Sequence, residues 1–301
     1  MENMKKKLFS IVMAATLLGA FGLSGCGSSS GSSTASTASS SEESSAVSTV
    51  ESESSTETNA ETAENDLLAQ IKEKGEITIA TEGTWAPWTY HDENDELVGF
   101  DIEVAKAIAD KIGVSANFVE GEWDGLLAGI ESGRYDIMAN GVEVTEERAA
   151  KYDFSDPYAY ARVAVIVSGD NTDINSFEDL SGKSTANTIS STYAAIAESY
   201  GASVTGVDDL NQTLELLLAG RIDATLNDEV TFYDYMKAHP DANLKVAALS
   251  DDPTLVCIPM RKGDETASLR EAINGAIEEL RDAGTLSEIS EKYFGVDITN
   301  N

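Results

Sequence analysis

Apolar and polar positions divide the chain into three stretches. Residues 8–23 are apolar and carry no charge. Over residues 27–66 hydrophobic periodicity vanishes, and Ser, Thr, Ala, Gly and Glu dominate with no aromatic and no basic residue. From residue 67 onward, short alternating runs take turns with runs of three-to-four spacing. Ile77 and Ile79 share one face of a strand over residues 76–80. Val104, Ala105, Ile108 and Ile112 make residues 100–113 an amphipathic helix, with Gly113 as its stop. A strand over 116–119, a helix over 123–132 closed by Gly133, and a strand over 135–139 follow. Repeated strand–helix–strand units with short connections predict a parallel sheet with helices on both faces.

The alternation then starts again. Strands are expected over 184–187, 203–207 and 222–226, and helices over 191–199, 213–219 and 228–238. The stretch "SGRYDIMAN" at 132–140 is echoed by "AGRIDATLN" at 219–227. In both, a helix runs through Gly-Arg into an acidic strand. Two lobes of similar build therefore suit the pattern better than one sheet. The last long helix, expected over 265–283, has no new strand system beside it and should pack back on the first lobe.

Charge and cysteine count narrow the reading. The chain carries −33 over 301 residues, and −27 of that falls on residues 67–301. So acidic a surface argues against nucleic acid as a partner. With His91, His239 and two cysteines, no His/Cys metal set is visible and no cofactor is implied. Cys257 lies in the apolar run Leu255-Val256-Cys257-Ile258 and reads as a small buried hydrophobe. At the other end, Lys5, Lys6 and Lys7 precede the uncharged run, a basic flank and short apolar core that suit an export signal. The run ends in Leu23-Ser24-Gly25-Cys26, which resembles the lipobox of bacterial lipoproteins. That resemblance implies a diacylated Cys26, an export signal over 1–26 and attachment to the outer face of the cell membrane. The polar, acidic stretch 27–66 cannot bury enough apolar surface to fold and suits a tether. No later stretch is long and apolar enough to span a membrane.

Five ordered stretches carry a family resemblance: "GTWAPWTY…LVGFDIEVAKAIA", "VTEERAAKYDFSDPY", "ISSTY", "GRIDATLND" and "LRDAGTLSEISEKYFG". Over roughly residues 67–298 the chain resembles the polar amino-acid substrate-binding proteins of ABC importers, bacterial extracellular solute-binding protein family 3, and looks most like the cystine-binding branch. The resemblance implies a two-lobed periplasmic-binding-protein-like α/β fold of type II with two crossover hinge segments, near 160–164 and 255–259. Lobe 1 would comprise 67–163 plus 256–301, and lobe 2 would comprise 164–255. The implied partners are a small amino acid, cystine being the leading candidate, and the membrane permease and ATPase of an importer. The protein itself would be a monomer.

A free amino acid presents a carboxylate, an ammonium and a side chain. The resemblance assigns the carboxylate to Arg148, whose planar guanidinium matches it bidentately. It assigns the same group to the helix start at Thr192, with Ser191 and Thr188 beside it, where free N–H groups favour an anion. The ammonium would fall to Asp228, at the C-terminal end of its strand, although an N-cap role for Asp228 or a plain helix start at Thr192 suits the residues too. Trp85 and Trp123 would wall the solute, while Trp88 suits lobe packing. Asn140, Gly141, Val142 and Glu143 stand where basic amino-acid binders usually show Ser-Ser-x-Ser. Gly141 could still offer its carbonyl to the ammonium. Glu143 brings a carboxylate, and two readings stay open for it. It could join Asp228 around a ligand with extra positive charge, or it could pair with Arg148 and orient it.

Two further functions fit the same resemblance. Some relatives are dehydratases acting on cyclic precursors of aromatic amino acids, and there Glu143 would be the general acid. A ligand-sensing subunit would need a separate transducing protein. No Ser/His or Cys/His pair is placed for nucleophilic attack, so a non-enzymatic receptor is expected.

Overall fold

A computed structural model describes residues 66–300. The export signal, Cys26 and nearly all of the 27–66 stretch lie outside the described residues. Asp66, counted with the tether by composition, caps the first helix, Leu67–Lys74, and its carboxylate accepts from Leu68 N at 3.0 Å.

Two five-stranded sheets build the two lobes. In the first, the strand Glu76–Thr81 is paired in parallel with Ser115–Glu120 on one side and Ile137–Met138 on the other. The strands Pro259–Arg261 and Tyr152–Phe154 complete it in antiparallel pairing. In the second, Ser203–Val207, Ser184–Thr188 and Ala224–Asp228 run parallel, and Val163–Ser168 joins antiparallel, flanked by Leu244–Leu249. Both sheets are therefore mixed, which corrects the expectation of purely parallel ones. The reason is topological: a strand leaving or re-entering a lobe through the crossover needs no helix to reverse it, so it pairs antiparallel at once. The two crossovers pair with each other as Ala159–Ala161 and Thr254–Val256.

Helices cover both faces of the first sheet. On one, Phe100, Val104 and Ile108 of the helix Phe100–Ile112 pack with Ile273, Ile277 and Leu280 of the helix Ala267–Asp282. The last long helix thus returns to the first lobe as expected, and Lys111 pairs with Glu279 at 2.9 Å. On the other face lie Trp123, Leu126 and Ile130, from the helix Trp123–Glu131. Full burial of such side chains stabilises by about 1.5–3 kcal/mol each. In the second lobe Leu214, Leu217 and Phe232 close over Ala164 and Ile166. Cys257 is buried, and desolvation pushes its thiol up to about 12, which leaves it an inert hydrophobe. No helix among the described residues is long and apolar enough to cross a membrane.

Candidate functional site

The C-terminal ends of the parallel strands in the two sheets face each other across a cavity lined from both lobes. Of the residues expected at the site, Trp85, Trp123, Gly141, Glu143, Thr188, Ser191 and Thr192 line it. Asn140, Arg148 and Asp228 stand just behind the walls.

On the first-lobe wall, Asn140 is buried and works as a brace. Its Oδ1 accepts from Glu82 N at 2.7 Å and from Thr81 Oγ1 at 3.2 Å, and its Nδ2 donates to Glu82 Oε2 at 2.6 Å. The brace holds Glu82 at the cavity. Desolvation pushes the Glu82 carboxyl to about 7 against the Asn140 bond, with Asp209 and Asp124 adding to the rise. Gly141 adopts φ +55°, and a Cβ there would come within 2.5 Å of the Trp85 ring, so glycine lets that indole lie against the backbone. Trp85 stacks in turn on the fully buried Trp88 at 5.4 Å. Gly141 N donates to the Asp101 carboxylate, which also accepts from Tyr158 Oη at 2.7 Å.

Arg148 follows the N-cap Thr145, whose hydroxyl accepts from Arg148 N at 3.1 Å. Its guanidinium lies over the Trp123 ring at 5.1 Å. Nη1 donates to the Glu143 carbonyl at 3.0 Å, and Nη2 reaches the Ser190 carbonyl of the other lobe at 3.3 Å. Glu143 carries its side chain toward the same guanidinium, with Oε2 at 3.6 Å from Nη1. It also accepts from the Thr192 hydroxyl across the cleft. The pairing of Glu143 with Arg148, one of the two readings left open by sequence, is thus present. Burial raises the Glu143 carboxyl, opposed by Arg148 and by the Thr192 hydroxyl, and burial lowers the Arg148 guanidinium against the pull of Glu143.

On the second-lobe wall, Ser191 caps the helix Thr192–Ser199 by accepting from Ala194 N at 3.1 Å, so Thr192 is its first residue. Ser190 sits at φ +60°, a conformation uncommon for a residue with a Cβ, and its hydroxyl donates to Asp124 of the first lobe at 2.6 Å. Asp228 occupies the N-cap position of the helix Glu229–Ala238 without making a capping bond. Burial, then the nearby Glu143 charge, push its carboxyl well above the usual range. Between these two carboxylates lies the Tyr193 hydroxyl, itself raised by burial and by both of them. Two indoles bridge the lobes: Trp85 Nε1 donates to Asn227 Oδ1 at 3.3 Å and Trp88 Nε1 to Thr231 Oγ1 at 3.1 Å. The lobes therefore touch through both walls of the cleft.

Most buried side-chain atoms without a hydrogen-bond partner among the described residues belong to this site: Trp123 Nε1, Glu143 Oε1, Asn187 Oδ1, Tyr193 Oη and Asp228 Oδ1. Buried polar atoms of this kind are costly unless something satisfies them, which marks the cavity as a place where a polar solute is recognised. Sequence reasoning missed Glu82, Asn187, Tyr193, Asp209 and Asn227 on the wall. The echo "MAN"/"TLN" carried a signal for Asn227, which stands where Asn140 stands in the first lobe. Glu82 and Asp209 sit in connections whose direction the pattern does not encode.

Known proteins resemble this chain in sequence and fold. The family model described as bacterial extracellular solute-binding proteins, family 3, matches residues 77–296. The L-cystine-binding protein TcyA of Bacillus subtilis is 40% identical over 237 residues, which cover 78% of this chain and 87% of that protein. An ancestral arginine-binding protein, solved bound to arginine, superimposes with a TM-score of 0.69 at 38% identity, over 73% of this chain and 99% of its own. The L-cystine solute receptor of Neisseria gonorrhoeae, solved in its unliganded open conformation, gives a TM-score of 0.55 at 38% identity, over 78% of this chain and all of its own. At equal identity the arginine-bound structure superimposes with the higher TM-score.

Proposed function

The chain belongs to the bacterial extracellular solute-binding proteins of family 3, and from that premise we propose that it is the receptor of an ABC importer, taking up an amino acid between its lobes. Cystine or another polar amino acid is favoured by the relatives. The observation that carries this reading is the cluster of buried, unpartnered polar atoms drawn from both lobes into one cavity. In this reading Asp228 receives the ammonium, and Arg148 with the first turn at Thr192 attracts the carboxylate. Trp85 and Trp123 wall the side chain, with Gly141, Thr188 and Ser191 shaping the remaining surface. The solute thereby joins the lobes, and their closure by hinge motion at the paired crossovers is what the importer would sense. Its role is capture and delivery, without chemical conversion.

Calorimetric titration of the full chain with the standard amino acids and cystine tests the proposal. At least one should bind in the micromolar range or tighter, a free energy of about −8 kcal/mol. Arg148→Ala should abolish that binding. Failure of every amino acid to bind overturns the reading. The Leu23-Ser24-Gly25-Cys26 segment further suggests export and lipid anchoring at Cys26 to the outer face of the cell membrane. Metabolic labelling with radioactive palmitate should mark the wild type and spare Cys26→Ala; equal labelling of both refutes the anchor.

A further inference from the structure

The anion-binding apparatus of this cleft is already engaged by a carboxylate of the chain itself. Arg148 has Nη1 on the Glu143 carbonyl, Nη2 on the Ser190 carbonyl, and the Glu143 carboxylate at 3.6 Å. The same carboxylate takes the hydroxyl of Thr192, at the start of the facing helix. What remains toward the cavity is of one sign. Glu82, Glu143 and Asp209 line it, Asp124 contributes to the field at Glu82, and Asp228 adds to the field at Tyr193. No Lys, Arg or His is among the residues lining it. Two acceptors stand out: Glu143 is 4% exposed and Asp228 1%, and the one hydroxyl near Oε1 of the first and Oδ1 of the second, that of Tyr193, can donate to only one of them.

Resting on the amino-acid reading above, we propose that the solute carries two cationic nitrogens a short aliphatic chain apart, and that Glu143 is the residue that selects for it. One nitrogen is held at the Glu143 carboxylate on the cavity wall, with the Tyr193 hydroxyl and the Asp228 carboxylate behind it. The other lies toward Glu82 and Asp209. A neutral zwitterion would leave the acidic wall uncompensated. A net-cationic solute answers both carboxylates, and its nitrogens supply donors where the site offers acceptors. Charge complementarity of this kind sets specificity through the penalty on the wrong partner. The chemistry is shared by diamino acids and by simple diamines, which differ in whether a carboxylate also reaches Arg148.

The test is calorimetry on the full chain with lysine, ornithine, 1,4-diaminobutane, glutamine, serine and cystine, repeated on Glu143→Gln. The variant keeps the side-chain shape, and its solute-free melting curve checks that it folds; Glu143→Thr serves as a second variant. The expected result is a preference of at least about tenfold for a net-cationic diamino solute over glutamine, serine and cystine, whose ammonium groups are each balanced by a carboxylate, lost in Glu143→Gln with a fall in affinity for that solute of at least about 30-fold. Lysine or ornithine binding above diaminobutane assigns the carboxylate to Arg148; the reverse order assigns the solute to the diamines. Tighter binding of cystine or a neutral amino acid by the wild type, or an unchanged ranking in Glu143→Gln, overturns the inference and leaves the amino-acid reading standing. Binding of diaminobutane with no amino acid does the opposite. Silence of all six overturns both.

Discussion

The two lobes agree at the edge farthest from the cleft and part company at the edge that faces it. In each, an aspartate after Gly-Arg ties the start of its strand to the neighbouring one. Asp136 N donates to the Thr78 carbonyl at 3.0 Å while its carboxylate accepts from Thr78 N at 2.8 Å. Asp223 repeats this with Ser184, at 2.8 Å for both bonds, and adds the Ser184 hydroxyl at 2.7 Å. Four residues further on, Asn140 and Asn227 mark the other ends. Asn140 turns inward to brace Glu82 within its own lobe, and Asn227 reaches across to the Trp85 indole. The same local step thus serves folding at one end of the strand, and at the other end it has been left free to differ. The cleft edge is also where burial works against charge. Glu82 and Asp101 are both pushed to about 7, Asp228 is pushed well up, and at the far edge Asp223 is held below its usual value by Ser184.

The largest effect should come from Asp101, the fully buried acid behind the first-lobe wall. Asp101→Ala leaves Gly141 N and the Tyr158 hydroxyl buried without an acceptor, at about 1–3 kcal/mol each. Urea unfolding should register a loss of about 2–5 kcal/mol, with Gly141 and hence the Trp85 platform loosened. The carboxyl also gives the contrast its pH signature. Desolvation raises it to about 7 in the fold, above the unfolded value of 3.8, and the two hydrogen bonds only moderate the rise. The folded state therefore holds the proton more tightly, so this contribution is complete below about pH 4 and fades as pH climbs through about 7. Glu82 acts in the same sense and over the same window. Solute-free protein should melt at progressively lower temperature from pH 5 to pH 8, and Asp101→Asn should flatten that slope. A slope that Asp101→Asn leaves untouched would place the titration elsewhere.

How much of this was readable beforehand follows from what local residues can encode. Gly113 announced the end of the helix Phe100–Ile112 because it takes up φ +89°, where glycine is at home. The helix Leu210–Leu218 starts three residues before the apolar run suggests, since Asp209 caps it by accepting from Gln212 N at 3.0 Å and the polar Asn211 and Gln212 follow Leu210 in its first turn. The antiparallel strands were out of reach. Ala159–Ala161 meets Thr254–Val256 across nearly the whole second lobe, a pairing no local pattern states. At the site, the motifs pointed to Arg148 and to Glu143 as a departure, and left two roles open for Glu143, beside Asp228 around the ligand or paired with Arg148. The fold brings both parts of that choice together, with Oε2 turned to Arg148 and Oε1 left unpartnered beside a cavity whose other acids come from distant connections. Charge accumulates there through tertiary folding, so composition reported the acidity of the chain and could not say where it converges.

A smaller and sharper test uses the shared step itself. Asp136 is half-buried, so Asp136→Ala should strand the Thr78 N–H where water reaches it poorly, at about 1–2 kcal/mol. Asp223 is exposed, and water can replace its bonds to Ser184, so Asp223→Ala should cost less than about 1 kcal/mol. The low value of Asp223 adds a direction: its contribution is present above the usual aspartate range and disappears as pH falls through its folded value, opposite to the cleft acids. Parallel urea curves at pH 7 and pH 3.5 would rank the two variants and show the Asp223 deficit shrinking in acid. Both lie at the strand starts, away from the cavity, so neither should shift solute affinity. An equal cost for the two, or a change in binding from either, would mean that the far edges are not interchangeable supports and that the division between a folding edge and a binding edge is drawn in the wrong place.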